Sequence, residues 1–189
     1  MRTLLSLSAV LALTAPPAPA PVKVADAPAP WKDAISRAGD AARVLQEKLQ
    51  ARLARALADG GPVAAVSVCR DEAPRLAAEA GRESQAKVGR TSDRLRNPAN
   101  APPDWARAPL AEAALRKASE VPALAVDLGD RLGVLFPIPV KGVCRTCHGT
   151  PDAIPAPVRH ALAAAYAEDR ATGYAEGDFR GFVWVEVPR

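Results

Sequence analysis

The sequence predicts an α+β domain, with a long N-terminal helix and shorter helices packed on a small antiparallel sheet. Three observations predict it. Trp31, Ile35, Ala38, Ala42, Leu45, Leu49, Leu53 and Ala56 recur at helical spacing. From Ala123 to Val140 the texture changes: Leu124, Val126 and Leu128 alternate, Gly129-Asp130 turns the chain, and Leu132 to Ile138 returns. A last apolar run, Gly181 to Val187, adds a third strand.

The intervening elements follow in order. Gly60-Gly61 ends the long helix and Pro62 suits the first turn of the next. On that second helix Val66, Cys69, Ala73, Leu76 and Ala80 share one apolar face. Pro74 cannot donate to the carbonyl of Arg70, so the helix should kink or restart directly after Cys69. Asp104 is expected to cap a helix from Trp105 to about Glu120. A further helix runs from near Val158 toward Asp169, with Val158, Leu162, Ala165 and Tyr166 as its buried stripe and His160 near the edge of that stripe.

Ahead of these elements Met1-Arg2 precedes an apolar run, Leu4 to Thr14, and then a stretch of Ala and Pro. That is the layout of a secretory signal peptide, assigned to 1–20 with Ala18-Pro19-Ala20 at its end. The run falls short of the ~20 residues a membrane span requires. The alternative to cleavage is an uncleaved anchor. Residues 21–30 read as an Ala/Pro-rich linker without the apolar side chains a core needs. Residues 31–189 read as one domain, and the product is expected to be periplasmic, with no membrane span once the signal is removed. Lys and Arg total 25 against 21 Asp and Glu. No basic run interleaved with aromatics accompanies that excess, so nucleic acid is not an expected partner.

Three cysteines leave one odd in any disulfide framework. Cys144-Arg145-Thr146-Cys147-His148 has the C-x-x-C-H form of c-type haem attachment, in which two thiols add to the haem vinyl groups and the imidazole binds iron. The spacing suits that chemistry: one turn of backbone presents both sulfurs, and His148 follows directly. Covalent maturation takes place outside the cytoplasm, where the signal peptide sends the chain. Three alternatives compete. A structural zinc site wants four ligands in a tetrahedron, which adjacent Cys147 and His148 rarely supply together. A thioredoxin-like dithiol exchanging through Cys144 and Cys147 would sit at a helix start after a buried strand. A plain disulfide leaves His148 without a purpose.

With haem bound, composition narrows the sixth iron ligand. Met1 is the only methionine and leaves with the signal peptide, so His/Met ligation is excluded. Cys69, His160, a lysine, a tyrosine or an open site remain. Cys69 is read either as a ligand aimed by the kink or as a buried cysteine acting as a small hydrophobe.

Several stretches occur in the order of one family: Val68-Cys69-Arg70-Asp71-Glu72-Ala73-Pro74; Gly89-Arg90-Thr91-Ser92; Arg96-Asn97-Pro98-Ala99-Asn100; Pro103-Asp104-Trp105; Cys144 to Gly149; and Ala171 to Asp178 with Arg180-Gly181. With them the chain resembles the Tll-type haem-binding domains. The resemblance implies a PAS-like sheet and helices around a single c-type haem, with Cys69 as the distal ligand opposite His148. Members also serve as sensor modules of membrane receptors, where output domains follow; no output domain is expected after the last strand of this chain.

Arg90, Arg94 and Arg96 concentrate positive charge in a chain that would have to neutralise two haem propionates, and Arg suits bidentate carboxylate pairing. The alternative is a turn-rich loop shaped by Asn97-Pro98 and Asn100. Tyr174 and Trp105 either pack on the haem or belong to the core.

The expected function is that of a single-haem cytochrome in electron transfer with a periplasmic redox or signalling partner, and not an enzyme, since no convergent acid, base and nucleophile set accompanies the motif. A thiolate from Cys69 would favour ferric iron and a low potential. The alternative is a redox or gas sensor in which reduction releases Cys69 and opens the site to CO or NO.

Overall fold

The computed structural model describes residues 19–189, so the signal-peptide expectation falls almost entirely on residues outside it. Five antiparallel strands form one sheet: β1 (Val22–Lys23), β2 (Lys87–Thr91), β3 (Leu124–Asp127), β4 (Arg131–Pro139) and β5 (Phe179–Pro188), in the order β1-β3-β4-β5-β2. The β3–β4 hairpin turns at Gly129, whose φ of 90° suits glycine, and pairs Asp127 with Leu132. β5 lies beside β4 through most of its length. This is an α+β fold of the PAS-like kind, and no helix among the described residues is long and apolar enough to cross a membrane.

Helix α1 (Lys32–Ser67) lays Ala34, Ala38, Ala41, Ala42 and Leu45 against Leu132, Val134, Val183, Val185 and Val187 of the sheet. Alanines at the contact let helix and sheet approach closely. At Gly61 the backbone takes φ 68°, ψ −168°, a region essentially reserved for glycine, and the helix breaks where the paired glycines predict it. The returning arm runs antiparallel to the first, since Glu72 accepts both Nε and Nη2 of Arg52 at 2.7 and 2.8 Å and Glu83 meets Lys48 at 2.9 Å. Around Pro74 the chain takes a π-helical turn, Val68–Glu72, in which the N–H of Ala73 reaches the carbonyl of Val68. The missing proline donor is absorbed by one extra residue rather than by a break. Helix α2 (Ala73–Glu83) then continues to β2.

On the other face of the sheet Trp105, Leu110 and Ala113 cover Leu135, Phe182 and Trp184. Trp105 therefore belongs to this core layer: its indole lies over Gly133 and donates to Glu186 at 3.0 Å. Helix α3 (Arg107–Ala113) is shorter than expected. Ala118–Glu120 is a separate 3-10 turn, held by the Ala118 N–H on the Gly177 carbonyl and by the bridge from Lys117 to Asp178. Asp104 makes no capping bond; its carboxylate accepts from Arg107 Nε at 2.9 Å.

The expected linker at 21–30 is partly built into the fold. Val22 and Lys23 pair with Ala125 and Leu124, and the Val24 N–H donates to the Ala123 carbonyl at 2.9 Å. Strand pairing needs backbone groups rather than large side chains, so the composition does not forbid it.

Candidate functional site

The C-x-x-C-H motif follows β4. A 3-10 turn, Gly142–Cys144, leads into α4 (Arg145–His148), a single turn that Gly149 ends. A Cβ at Gly149 would meet the Arg145 carbonyl oxygen at 2.6 Å, so only glycine lets the chain leave the turn so tightly.

The segment after α5 (Ala156–Ala165) fastens this turn. Gly173 N–H donates to the Gly149 carbonyl at 2.7 Å and Tyr174 N–H to that of His148 at 2.9 Å. His148 Nδ1 lies 2.7 Å from the Ala171 carbonyl oxygen. A carbonyl only accepts, so Nδ1 carries the proton and Nε2 is left with its lone pair free. Burial and the guanidiniums of Arg180 and Arg96 hold the imidazole pKa down at about 3, so the ring is neutral.

Arg96 completes the frame. Its Nη2 donates to the Cys147 carbonyl at 2.6 Å and the Ala171 carbonyl at 3.2 Å, and its Nε meets Asp169 at 3.0 Å. Asp169 in turn accepts the Ala171 N–H at 2.8 Å. Arg96, expected as an anion-binding residue, is committed to holding the motif loop because it is buried beside a carboxylate of its own.

All three cysteines are free thiols, and among the described residues no group of three or more His, Cys, Asp or Glu is gathered as a zinc site requires. Burial raises the Cys147 thiol, with Arg96 opposing, whereas exchange thiols are acidified. The motif does open a helix after a strand, as the dithiol alternative asks, but the helix is one turn long and the sheet is antiparallel.

Cys69 is exposed, so the alternative of a buried cysteine is overturned. The stripe that carries it explains why. Val66 is covered by Ile154, Val158 and Leu162, with Cys147 packed against that cluster. One turn further along, Cys69 lies beyond the cover, yet still in the neighbourhood of Cys147, Arg90 and Tyr166. It lines a hollow of about 40 Å³ with Ala73, Gly89, Arg90, Asn97 and Asn100. Asn97 also lines an open cleft of about 270 Å³ with Arg70, Arg96, Tyr166 and Glu168. Burial, chiefly, pushes the Tyr166 phenol up to about 12. His160 is exposed on α5, on the side opposite Val158 and Leu162, and does not join the site.

Arg90, on β2, is desolvated, which lowers its pKa. Arg94 donates to the Thr172 carbonyl at 3.0 Å and lies 3.6 Å over the Tyr174 ring. Arg180 was not singled out from the sequence. It lies 5.3 Å from the same ring and donates to the Arg94 carbonyl at 3.3 Å, and burial lowers it too. Its only signal was its place in the family-like run at the C-terminus. Within this group Arg96 has Asp169, and Arg94 has Asp93 at 4.0 Å. Among the described residues neither Arg90 nor Arg180 forms an ion pair, although Asp93 acts on Arg180 from beyond pairing distance, so both guanidiniums are short of a direct anionic partner at the motif.

A family model described as Tll0287-like matches residues 31–188, nearly all of the described chain. The chain belongs to this family. A solved structure from the Tll0287-like family, the cyanobacterial heme-protein Tll0287, is 24% identical and superposes with a TM-score of 0.50, covering 62% of this chain and 70% of that one. That likeness is one of fold. No curated protein matches the sequence.

Proposed function

We propose that this Tll0287-like chain is an exported, periplasmic cytochrome that holds one haem c, attached at Cys144 and Cys147 with His148 as proximal ligand and Cys69 as distal ligand, and that it acts in electron transfer. The observation that carries the reading is the state of His148: a neutral imidazole, oriented by the Ala171 carbonyl, with Nε2 free beside two thiols. Metal-bound histidines characteristically donate the other ring N–H in this way. Arg90 and Arg180, desolvated and without an ion pair, offer positive charge to the two propionates of a haem, and the family relative is a heme-protein. The donor set therefore fits the group.

When bound, the haem supplies a one-electron couple. The chain's own residues do the rest. Arg96 and Ala171 keep the motif and its imidazole from reorienting, so little rearrangement accompanies a change of charge. Cys69 supplies a soft anionic donor that favours the ferric state and lowers the potential. Val143, 60% exposed beside Cys144, and the exposed Lys141 and Arg145 leave the attachment edge open to a partner protein.

A redox or gas sensor is the second reading, favoured by the position of Cys69 on a π-helical turn, a feature frequent at functional sites. Optical and EPR spectra of haem-matured wild type and Cys69→Ala, ferric and reduced, test both. Thiolate-type low-spin signals that vanish in the variant support Cys69 ligation. Ligation that persists on reduction and ignores CO supports the carrier; loss of Cys69 with CO uptake supports the sensor. Protein that takes up no haem under maturing conditions overturns both.

A further inference from the structure

Among the described residues two buried side chains carry a polar atom with nothing to bind, Thr91 next to Arg90 on β2 and Tyr174 against the motif; Tyr174 is the one in contact with His148 and the arginines. It is 1% exposed, and its hydroxyl has no hydrogen-bond partner. Its ring is packed against Val140, Ala171 and Cys144, with the edge of His148 at 6.3 Å and 83°. Arg94 and Arg180 lie over it. Arg94 uses Nη1 on the Thr172 carbonyl and Arg180 uses Nη1 on the Arg94 carbonyl, which leaves further N–H donors on both. Burying an unpaired hydroxyl beside the desolvated guanidinium of Arg180 is costly unless an acceptor arrives.

From this arrangement we infer that Tyr174, Arg94 and Arg180 form a receiving corner for one carboxylate. The unused groups there are the phenol O–H and guanidinium N–H donors, two guanidiniums face the single nearby carboxylate of Asp93, and a planar anion with four lone-pair sites can accept from all three residues. The corner is distinct from Arg90, which lines the 40 Å³ hollow with Cys69, and from Arg96, whose Nε and Nη2 are committed to Asp169 and the carbonyls of Cys147 and Ala171. Two sources share this chemistry, a haem propionate and a free small carboxylate. The assignment to a propionate rests on the haem reading; the corner itself does not.

Melting of the haem-free full-length chain tests the corner. Tyr174→Phe removes an unpaired buried hydroxyl without changing shape, so its midpoint should equal or exceed that of wild type. In haem-loaded protein the order should reverse. Destabilisation by the same amount in both states means that the phenol already has a partner, and overturns the proposal. Titration with haemin and with its dimethyl ester gives the second readout. Wild type should prefer the free acid, and Tyr174→Phe, Arg94→Gln and Arg180→Gln should each reduce that preference about tenfold or more. Sodium acetate separates the sources. If it raises the melting point of wild type but not of Tyr174→Phe while haemin is not bound, the corner stands and the haem reading falls. Equal affinity for haemin and its ester, with no effect of acetate, overturns the corner while leaving haem binding intact.

Discussion

Replacing Arg96 by methionine, which keeps length and removes the charge, isolates what holds the attachment turn. The Arg96 and Asp169 side chains are only 9% and 13% exposed, so their ion pair at 3.0 Å is largely shielded from water. Breaking a buried pair by removing one partner typically costs ~3–5 kcal/mol, because the other charge stays behind. Asp169 keeps the Ala171 N–H as a partner, which argues for the lower end, about 3 kcal/mol. For a chain of this size that corresponds to a fall of roughly 6–12 °C in Tm. The two carbonyls freed, of Cys147 and Ala171, belong to the motif and to the acceptor of His148, so haem attachment should fall with stability. Thermal unfolding followed by circular dichroism measures the first effect, and the Soret absorbance per protein after maturation the second. Removing both partners, Arg96→Met with Asp169→Leu, should recover most of the Tm but not the attachment, since only the charge problem is cured. Arg43→Met is the control: its pairing with Glu47 is about 60% exposed on both sides, so water screens it and its loss should barely move Tm. A loss in Arg96→Met no larger than in this control would refute the buried clamp. Failure of the double variant to recover would refute the charge argument.

The remaining expectations concern the ligand, the hairpin and acid stability. Cys69→Ala should leave the haem covalently attached, because both attachment thiols are retained, while the reduction potential rises in protein-film voltammetry; an unchanged potential would remove Cys69 from the iron. Gly61→Ala forces a side chain into φ 68°, ψ −168°, and should cost about 1–3 kcal/mol in urea unfolding with no change in haem spectra. At Asp178 the Lys117 ammonium and the Ala175 N–H hold the carboxyl below its ordinary range. A folded-state pKa below the unfolded value stabilises above ~3.9 and is lost as pH falls through the folded value. Asp178→Asn should therefore lower Tm at pH 7 and leave it nearly unchanged at about pH 2. The loss should stay below ~1 kcal/mol, because Lys117 is 59% exposed.

Local requirements explain which elements were legible in the sequence. Gly60-Gly61 and Gly129-Asp130 are turns whose backbone demands are met by their own residues, and the pattern of long helix, hairpin and closing strand follows from them. β2 was missed because Lys87-Val88-Gly89-Arg90-Thr91 has one large apolar residue. Its glycine is set by tertiary structure: a Cβ there would lie 2.5 Å from the Trp184 ring. The helix expected to Glu120 failed for a similar reason. Pairing of Lys117 with Asp178 pulls that segment onto the chain 61 residues away, leaving Leu115 at 90% exposure.

The site shows the same division. C-x-x-C-H is contiguous, so sequence found it. The roles of the arginines are set by what lies beside them after folding. Arg96 and Arg94 are two residues apart, but one meets Asp169 and the other the face of Tyr174. Charge density along the chain could not separate the guanidinium that braces the motif from those left without an ion pair, nor add Arg180 from the last strand. Counting charge in space rather than along sequence turns a basic loop into a site short of anions, and ties the proposed cofactor to a measurable excess of positive charge. If Arg90→Gln and Arg180→Gln each stabilise the haem-free chain, as removal of an uncompensated buried cation should, that excess is real; if either destabilises it, the guanidinium already has its partner and the anion is not needed.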